Sequence, residues 1–288
     1  MENGKTLQFK IAEICIKVET DSPVVLYKLK LLCQDFLTRE KRCDIFMQII
    51  NKNTPRPEKK DSLSLKEISF GADRFGFSKD NGTFRVFYIP RKEKNFLEMG
   101  RIDLLRKKSI FYNSSSNNAV YGRDMLGSFL RLTLEIFFAQ RRCFFVHACA
   151  VKKDNQGFVF IGPSSSGKTT LARLLKDWEV LSDDFVCIKN KDGACYVYAT
   201  PWRSYCDAFV RVKRIFFIEK SNFIEFKRLN ANRLLFEFSP HTFLNFPYRE
   251  VADKIISSTT SVIERVPCYK MRFSLDKDGI KNGLCNLK

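Results

Sequence analysis

The stretch Phe158–Asp184, FVFIGPSSSGKTTLARLLKDWEVLSDD, decides how the rest of the chain is read. Its first four residues are apolar and β-prone and the next six are small, so an extended segment breaks into a tight loop. Gly162, Gly167, Lys168 and Thr169 fit the pattern G-x-x-x-x-G-K-S/T, set between a strand and an amphipathic helix. Such a loop wraps a phosphate with backbone N–H groups, and the helix start turns its partial positive charge on the same group. The nucleotide-binding positions are therefore Gly162, Ser164, Ser165, Ser166, Gly167, Lys168, Thr169 and Thr170. Lys168 would reach the terminal phosphates, and the Thr169 hydroxyl would ligate Mg²⁺. A Ser/Gly turn that only caps a helix gains nothing from a lysine at 168.

Asp183 follows Lys168 by fifteen residues, enough for one helix, one turn and one strand. In most P-loop proteins the acidic strand end lies much further on, so this compact spacing is more informative than the loop itself. Successive strand residues face opposite ways, which gives Asp183 and Asp184 different tasks. The alternative is that one of them merely caps the turn after the strand.

Working outward, Asp124 caps a helix running to about Gln140, CFFVHACAV (143–151) is a buried strand and KKDNQG a turn. The helix after the loop runs from about Lys168 to Trp178, EVLSDD forms a short strand, and FVCIKN, KDG and ACYVYATPW make a meander. Towards the N-terminus, residues 7–19 alternate as a strand, whereas 26–37 suits a helix or a strand. NKNTPRPEKKDS (51–62) is a polar loop, and DNG at 80–82 separates two aromatic-rich runs as a hairpin turn does. NSSSNN at 113–118 resembles a linker. It divides a β-rich N-terminal domain, 1–118, from an α/β catalytic domain, 119–288, so the chain as a whole is α+β.

The ten cysteines show no C-x-x-C pair and several sit in apolar runs, which fits small core residues in a reducing, cytoplasmic compartment rather than a disulfide or zinc framework. The opening residues lack the pattern of an export signal, and Arg131, Glu135, Arg141 and Arg142 interrupt the most apolar region, so no membrane span is expected. A net charge of +18 suits nucleic acid, an anionic surface or an acidic partner without choosing among them. Its clusters carry no nucleic-acid fold signature, and no specific nucleic acid is expected.

HACAV, FIGPSSSGKTTLARLL, LSDDFV and TPW (200–202) together resemble the HPr kinase/phosphorylase-related P-loop kinases, whose catalytic fold is that of phosphoenolpyruvate carboxykinase. The similarity covers roughly residues 122–275 and is nearer to stand-alone relatives such as the kinases of lasso-peptide precursors than to HPr kinase proper. The downstream glycine-rich signature is missing, and Thr170 stands where HPr kinase proper has an acidic residue. The resemblance implies that Asp183 accepts the proton of the attacking hydroxyl and that Asp184 holds Mg²⁺ with Thr169. Taken alone, His147 among Phe, Val and Ala reads as a core histidine. The resemblance instead sets it beside the catalytic carboxylate, whose proton affinity it would tune. His241 has no such support, and Trp202 reads as packing near the site.

These readings predict an ATP- and Mg²⁺-dependent kinase acting on a serine of a peptide or small protein, with Asp183, His147 and Lys168 as catalytic residues. A small-molecule hydroxyl is an alternative acceptor for the same site. A nucleotide-gated binding module for nucleic acid or an anionic protein is a third reading, which the second aspartate disfavours. The oligomeric state stays open.

Overall fold

The computed structural model describes residues 5–52, 65–70, 73–90, 96–113, 124–202 and 207–287. The expected loop at 51–62 and the expected domain break at 118/119 fall mostly or wholly outside them. The chain is mixed α/β and separates into two compact units, Met1–Phe137 with Asn245–Arg249, and Phe138–Leu244 with Glu250–Lys288. Each is built on one eight-stranded sheet.

In the first unit, β1 (Lys5–Ile11) and β2 (Ile14–Thr20) pair antiparallel across Ala12-Glu13, both at positive φ, 47° and 67°. The single strand expected over 7–19 is therefore a hairpin. The alternation of apolar residues runs on through the bend, and no Gly or Asn marks it although each left-handed residue costs about 1–2 kcal/mol. The ambiguous segment that follows is helix α1 (Pro23–Leu32), with Pro23 in its first turn and the Ser22 hydroxyl accepting from the Val25 N–H at 3.4 Å. It leads to β3 (Ile45–Ile50), parallel to β2.

β4 (Lys66–Phe70), β5 (Asp73–Asp80), β6 (Thr83–Tyr88), β7 (Leu97–Asp103) and β8 (Lys108–Tyr112) form an antiparallel meander that joins β3 through the parallel β8, giving the order β1-β2-β3-β8-β7-β6-β5-β4. The expected turn between β5 and β6 is present, with Asn81 and Gly82 at φ 46° and 80°. Glu98 of β7 is fully buried, and two arginines answer it: Arg85 Nη2 at 2.6 Å and Arg101 Nε at 2.9 Å. Tyr248, in the returning segment, lies edge-on to Phe84 and donates to the Phe77 carbonyl at 3.3 Å.

Helix α2 (Met125–Ala139) starts where expected, with Asp124 Oδ1 accepting from the Gly127 N–H at 2.9 Å. The second unit then opens with β9 (Cys143–Lys153) and β10 (Gln156–Ile161). Their turn is only Asp154-Asn155, both at positive φ, so the outer residues of the expected KKDNQG turn belong to the strands. Next come α3 (Lys168–Leu174), β11 (Glu179–Ser182), β12 (Phe185–Lys191), β13 (Ala194–Tyr198) and β14 (Phe209–Lys220). β15 (Glu225–Arg228), α4 (Ala231–Phe238), α5 (Arg249–Arg265), β16 (Cys268–Phe273) and α6 (Lys277–Asn286) complete the unit.

Because β10 pairs with β9 on one side and with the parallel β14 on the other, the path β10-β9-β12-β13-β14 returns to β10. Gly157 stands at this closure. A Cβ there would come 2.7 Å from Val210 Cγ1 and 3.2 Å from Val197 Cγ1, and the β10–β14 register shifts beside it. Phe158, Phe160, Phe216 and Met271 from the sheet pack with Leu171 of α3, Leu175 just after it and Ile280 of α6 into one core.

Helix α3 is shorter than expected: it ends at Leu174, and tight turns carry the chain to Trp178. The early stop buries the Trp178 ring against Phe158, 5.2 Å away. It also leaves Asp177 facing Lys277 and Lys281 of α6 at 2.8 and 2.5 Å. Among the described residues, no helix is long and apolar enough to cross a membrane, and the cysteines are free thiols, most of them buried.

Candidate functional site

The glycine loop leaves the C-terminal end of β10, where the backbone must turn sharply and stay close to its neighbours. A Cβ on Gly162 would meet Ser166 Oγ at 2.5 Å, because the Ser166 side chain folds back beneath the loop. Gly167 has φ 103°, and a Cβ there would meet Phe273 Cζ at 2.7 Å. Both positions require glycine. Ser165 also takes a left-handed φ of 69°, which lets the serine run bend over the loop mouth.

A cleft of about 370 Å³ opens over this loop. Ser164, Ser165, Gly167, Lys168, Thr169 and Thr170 line one side of it. Asp183, Asp184 and His147 also line it, as does Lys220 at the end of β14. Of the positions expected from the sequence, Gly162 and Ser166 are not among the residues lining the cleft. Lys168 is buried at 7% exposure, and its ammonium donates to the carbonyls of Gly162 at 2.7 Å and Pro163 at 2.9 Å. Burial lowers its proton affinity, and the negative charges of Asp184 and Asp183 partly oppose that shift.

The two aspartates follow β11, which pairs with the far part of β9. Asp183 is buried at 5% exposure, whereas the Asp184 side chain is 30% exposed. His147 Nε2 lies 3.3 Å from Asp184 Oδ1. The register explains the contact. β9 and β12 set His147 opposite Phe185, with the rings stacked at 5.0 Å, and the Ala148 N–H donates to the Asp184 carbonyl at 3.0 Å. His147 thus touches Asp184 and lines the same cleft as Asp183.

The TPW stretch has a structural role that spacing did not reveal. The Thr200 hydroxyl, fully buried, donates to the Phe185 carbonyl at 2.7 Å, and Ser182 Oγ donates to the Trp202 carbonyl at 3.2 Å. One hydrogen bond thus lies on each side of Asp183-Asp184. The Trp202 ring packs edge-on to Phe145, 5.9 Å away, in agreement with a packing role.

His241 is the neighbour that sequence reasoning missed. It lies in a single 3₁₀ turn after α4, nearly buried, with its ring centroid 6.5 Å from that of His147. Burial first, then the charges of His147 and Lys168, push its pKa down to about 4, so it is neutral at pH 7. Nothing in FSPHTFLNF signals this, because the approach to His147 is made by the fold alone.

The donors suit Mg²⁺. Asp183, Asp184 and Thr169 offer hard oxygens at the cleft, and this ion is usually held by one or two carboxylates together with phosphates and water. No group of three or more His, Cys, Asp or Glu arranged to hold a metal by itself occurs among the described residues.

No family model matches the chain, and no curated protein sequence matches it. Among solved structures it is similar to the Hpr(Ser) kinase/phosphatase from Coxiella burnetii, at 10% identity and a TM-score of 0.31, over 49% of this chain and 96% of that one.

Proposed function

We propose that this chain is an ATP- and Mg²⁺-dependent phosphotransferase whose acceptor is a hydroxyl, namely a serine of a peptide or small protein. One observation carries the reading: a glycine loop with Lys168 and Thr169 and a pair of adjacent carboxylates line the same cleft. In this reading Lys168 leaves the loop carbonyls to hold the terminal phosphates, and the loop N–H groups hold the rest of the chain. The acceptor oxygen forms a bond to the γ-phosphorus as the bond from that phosphorus to the β–γ bridging oxygen breaks, releasing ADP. Asp183 takes the hydroxyl proton. Asp184 and Thr169 would hold Mg²⁺, which when bound neutralises charge on the phosphates. His147, against Asp184, orients that carboxylate.

The test is to incubate the protein with γ-labelled ATP, Mg²⁺ and a panel of serine peptides, small proteins and small-molecule alcohols. Label is expected on a peptide serine. Transfer only to a small alcohol would change the acceptor class, and ATP turnover stimulated by DNA or RNA with no labelled acceptor would replace the kinase by a nucleotide-gated module. Raising salt should increase the KM of an acidic acceptor more than its kcat falls, since exposed attractions are screened within about 8–10 Å.

A further inference from the structure

β14 runs parallel to β10 and, past the shift beside Gly157, keeps register from Phe158 beside Arg214 to Ile161 beside Phe217. β10 ends there and becomes the glycine loop, but β14 continues through Ile218, Glu219 and Lys220 alongside that loop. The contact is close. A Cβ on Gly162 would come 2.9 Å from Ile218 Cγ1, and one on Gly167 would come 3.3 Å from Lys220 Cε. The last methylene of Lys220 therefore lies against the loop, and its side chain lines the same cleft as Lys168.

Strand alternation separates the two charged residues of this tail. Glu219 is met by Lys270 at 2.9 Å and Arg272 at 3.6 Å. Lys220 has no ion-pair partner among the described residues. An exposed cation held against a phosphate-type loop, with no carboxylate of its own, fits an anion that the cleft has yet to receive.

We propose that Lys220 is a second phosphate-binding cation of the loop, meeting a polyphosphate together with the buried Lys168 and making the cleft favour nucleoside di- and triphosphates over monophosphates. The proposal rests on the nucleotide-binding reading above. Lys168 is buried and Lys220 exposed on the same cleft, so a chain of phosphates carries the charge and length to engage both ammonium groups, which a single phosphate has less of.

The experiment is calorimetric titration of ATP, ADP and AMP, with Mg²⁺, into the wild-type protein and into Lys220→Gln, Lys220→Arg and Lys168→Ala. Lys220→Gln should lose about tenfold in affinity for ATP and ADP, about 1.4 kcal/mol, and almost nothing for AMP. Lys220→Arg should recover most of the loss, and the thermal midpoint without nucleotide should match wild type, which excludes misfolding. If Lys168→Ala weakens ATP binding while Lys220→Gln binds all three nucleotides as wild type does, the role of Lys220 is refuted and the phosphate loop stands. An equal loss for AMP would refute the selectivity. Unchanged ATP binding in Lys168→Ala would overturn the nucleotide reading itself, and this inference with it.

Discussion

Each of the two units buries a carboxylate, and the two are placed differently. Glu98 in the first unit is fully enclosed, and Arg85 and Arg101 on the same and the neighbouring strand take both of its oxygens. In the second unit Asp183 and Asp184 stand where a strand gives out, on the wall of a cleft shared with Lys168. A charge answered within its own sheet specifies packing. Charges gathered at the end of strands on the wall of a cleft are placed where a solute can reach them.

The contrast can be broken from either side. Glu98→Ala should cost about 3 kcal/mol in denaturant unfolding, the lower end for removing one partner of a buried ion pair because the arginines keep some contact with water. ATP affinity of the folded fraction should not change. If affinity falls instead, Glu98 is not a purely structural charge.

Asp183→Asn should reverse the pattern, with near-normal stability and ATP affinity but transfer about a hundredfold slower, equivalent to about 2.7 kcal/mol of barrier. Loss of Mg²⁺-dependent ATP binding in Asp183→Asn, with Asp184→Asn only slowing transfer, would exchange the roles of the two acids.

His241 sharpens the contrast through pH. Its folded pKa is depressed to about 4 from 6.5, so the unfolded chain binds the proton more readily between those values. The stability it supports is complete above pH 6.5 and is lost as pH falls towards 4. The groups set against it are His147 and Lys168. Replacing His241 by Gln should flatten that part of the stability profile, and an NMR titration of the His241 ring should show no protonation above about pH 5.

The smallest effect is expected at Asp177. Lys277 and then Lys281 hold its carboxyl down to about 2, yet the group is at the surface, where such attractions are screened. Asp177→Asn should leave the thermal midpoint almost unmoved. A large drop would mean that this trio anchors α6.

The local grammar of both units was legible in the sequence. Gly162 and Gly167 announce a tight loop between strand and helix, Asp124 announces a helix start, and DNG and KDG announce hairpins, because each rests on contacts within a few residues. What escaped depends on pairing between distant segments. The bend at Ala12-Glu13 is hidden by an alternation that runs straight through it, and the partnership of His147 with Asp184 follows from the register of β9 on β12. The approach of His241 and Lys220 to the cleft is set by tertiary closure, which no short window of sequence contains.

That closure bears on the order in which the molecule assembles. The β9–β10 and β12–β13 hairpins need only two-residue turns and can form within about 1–10 μs. The other wall of the glycine loop is β14, which reaches β10 only after the chain has passed through β11, β12 and β13. Parallel pairing between remote segments is slow, because the entropy of closing the intervening chain is lost before the contacts form. A refolding chain should therefore show most of its strand signal before it gains any affinity for ATP, and nucleotide present from the start should leave the early phases unaccelerated.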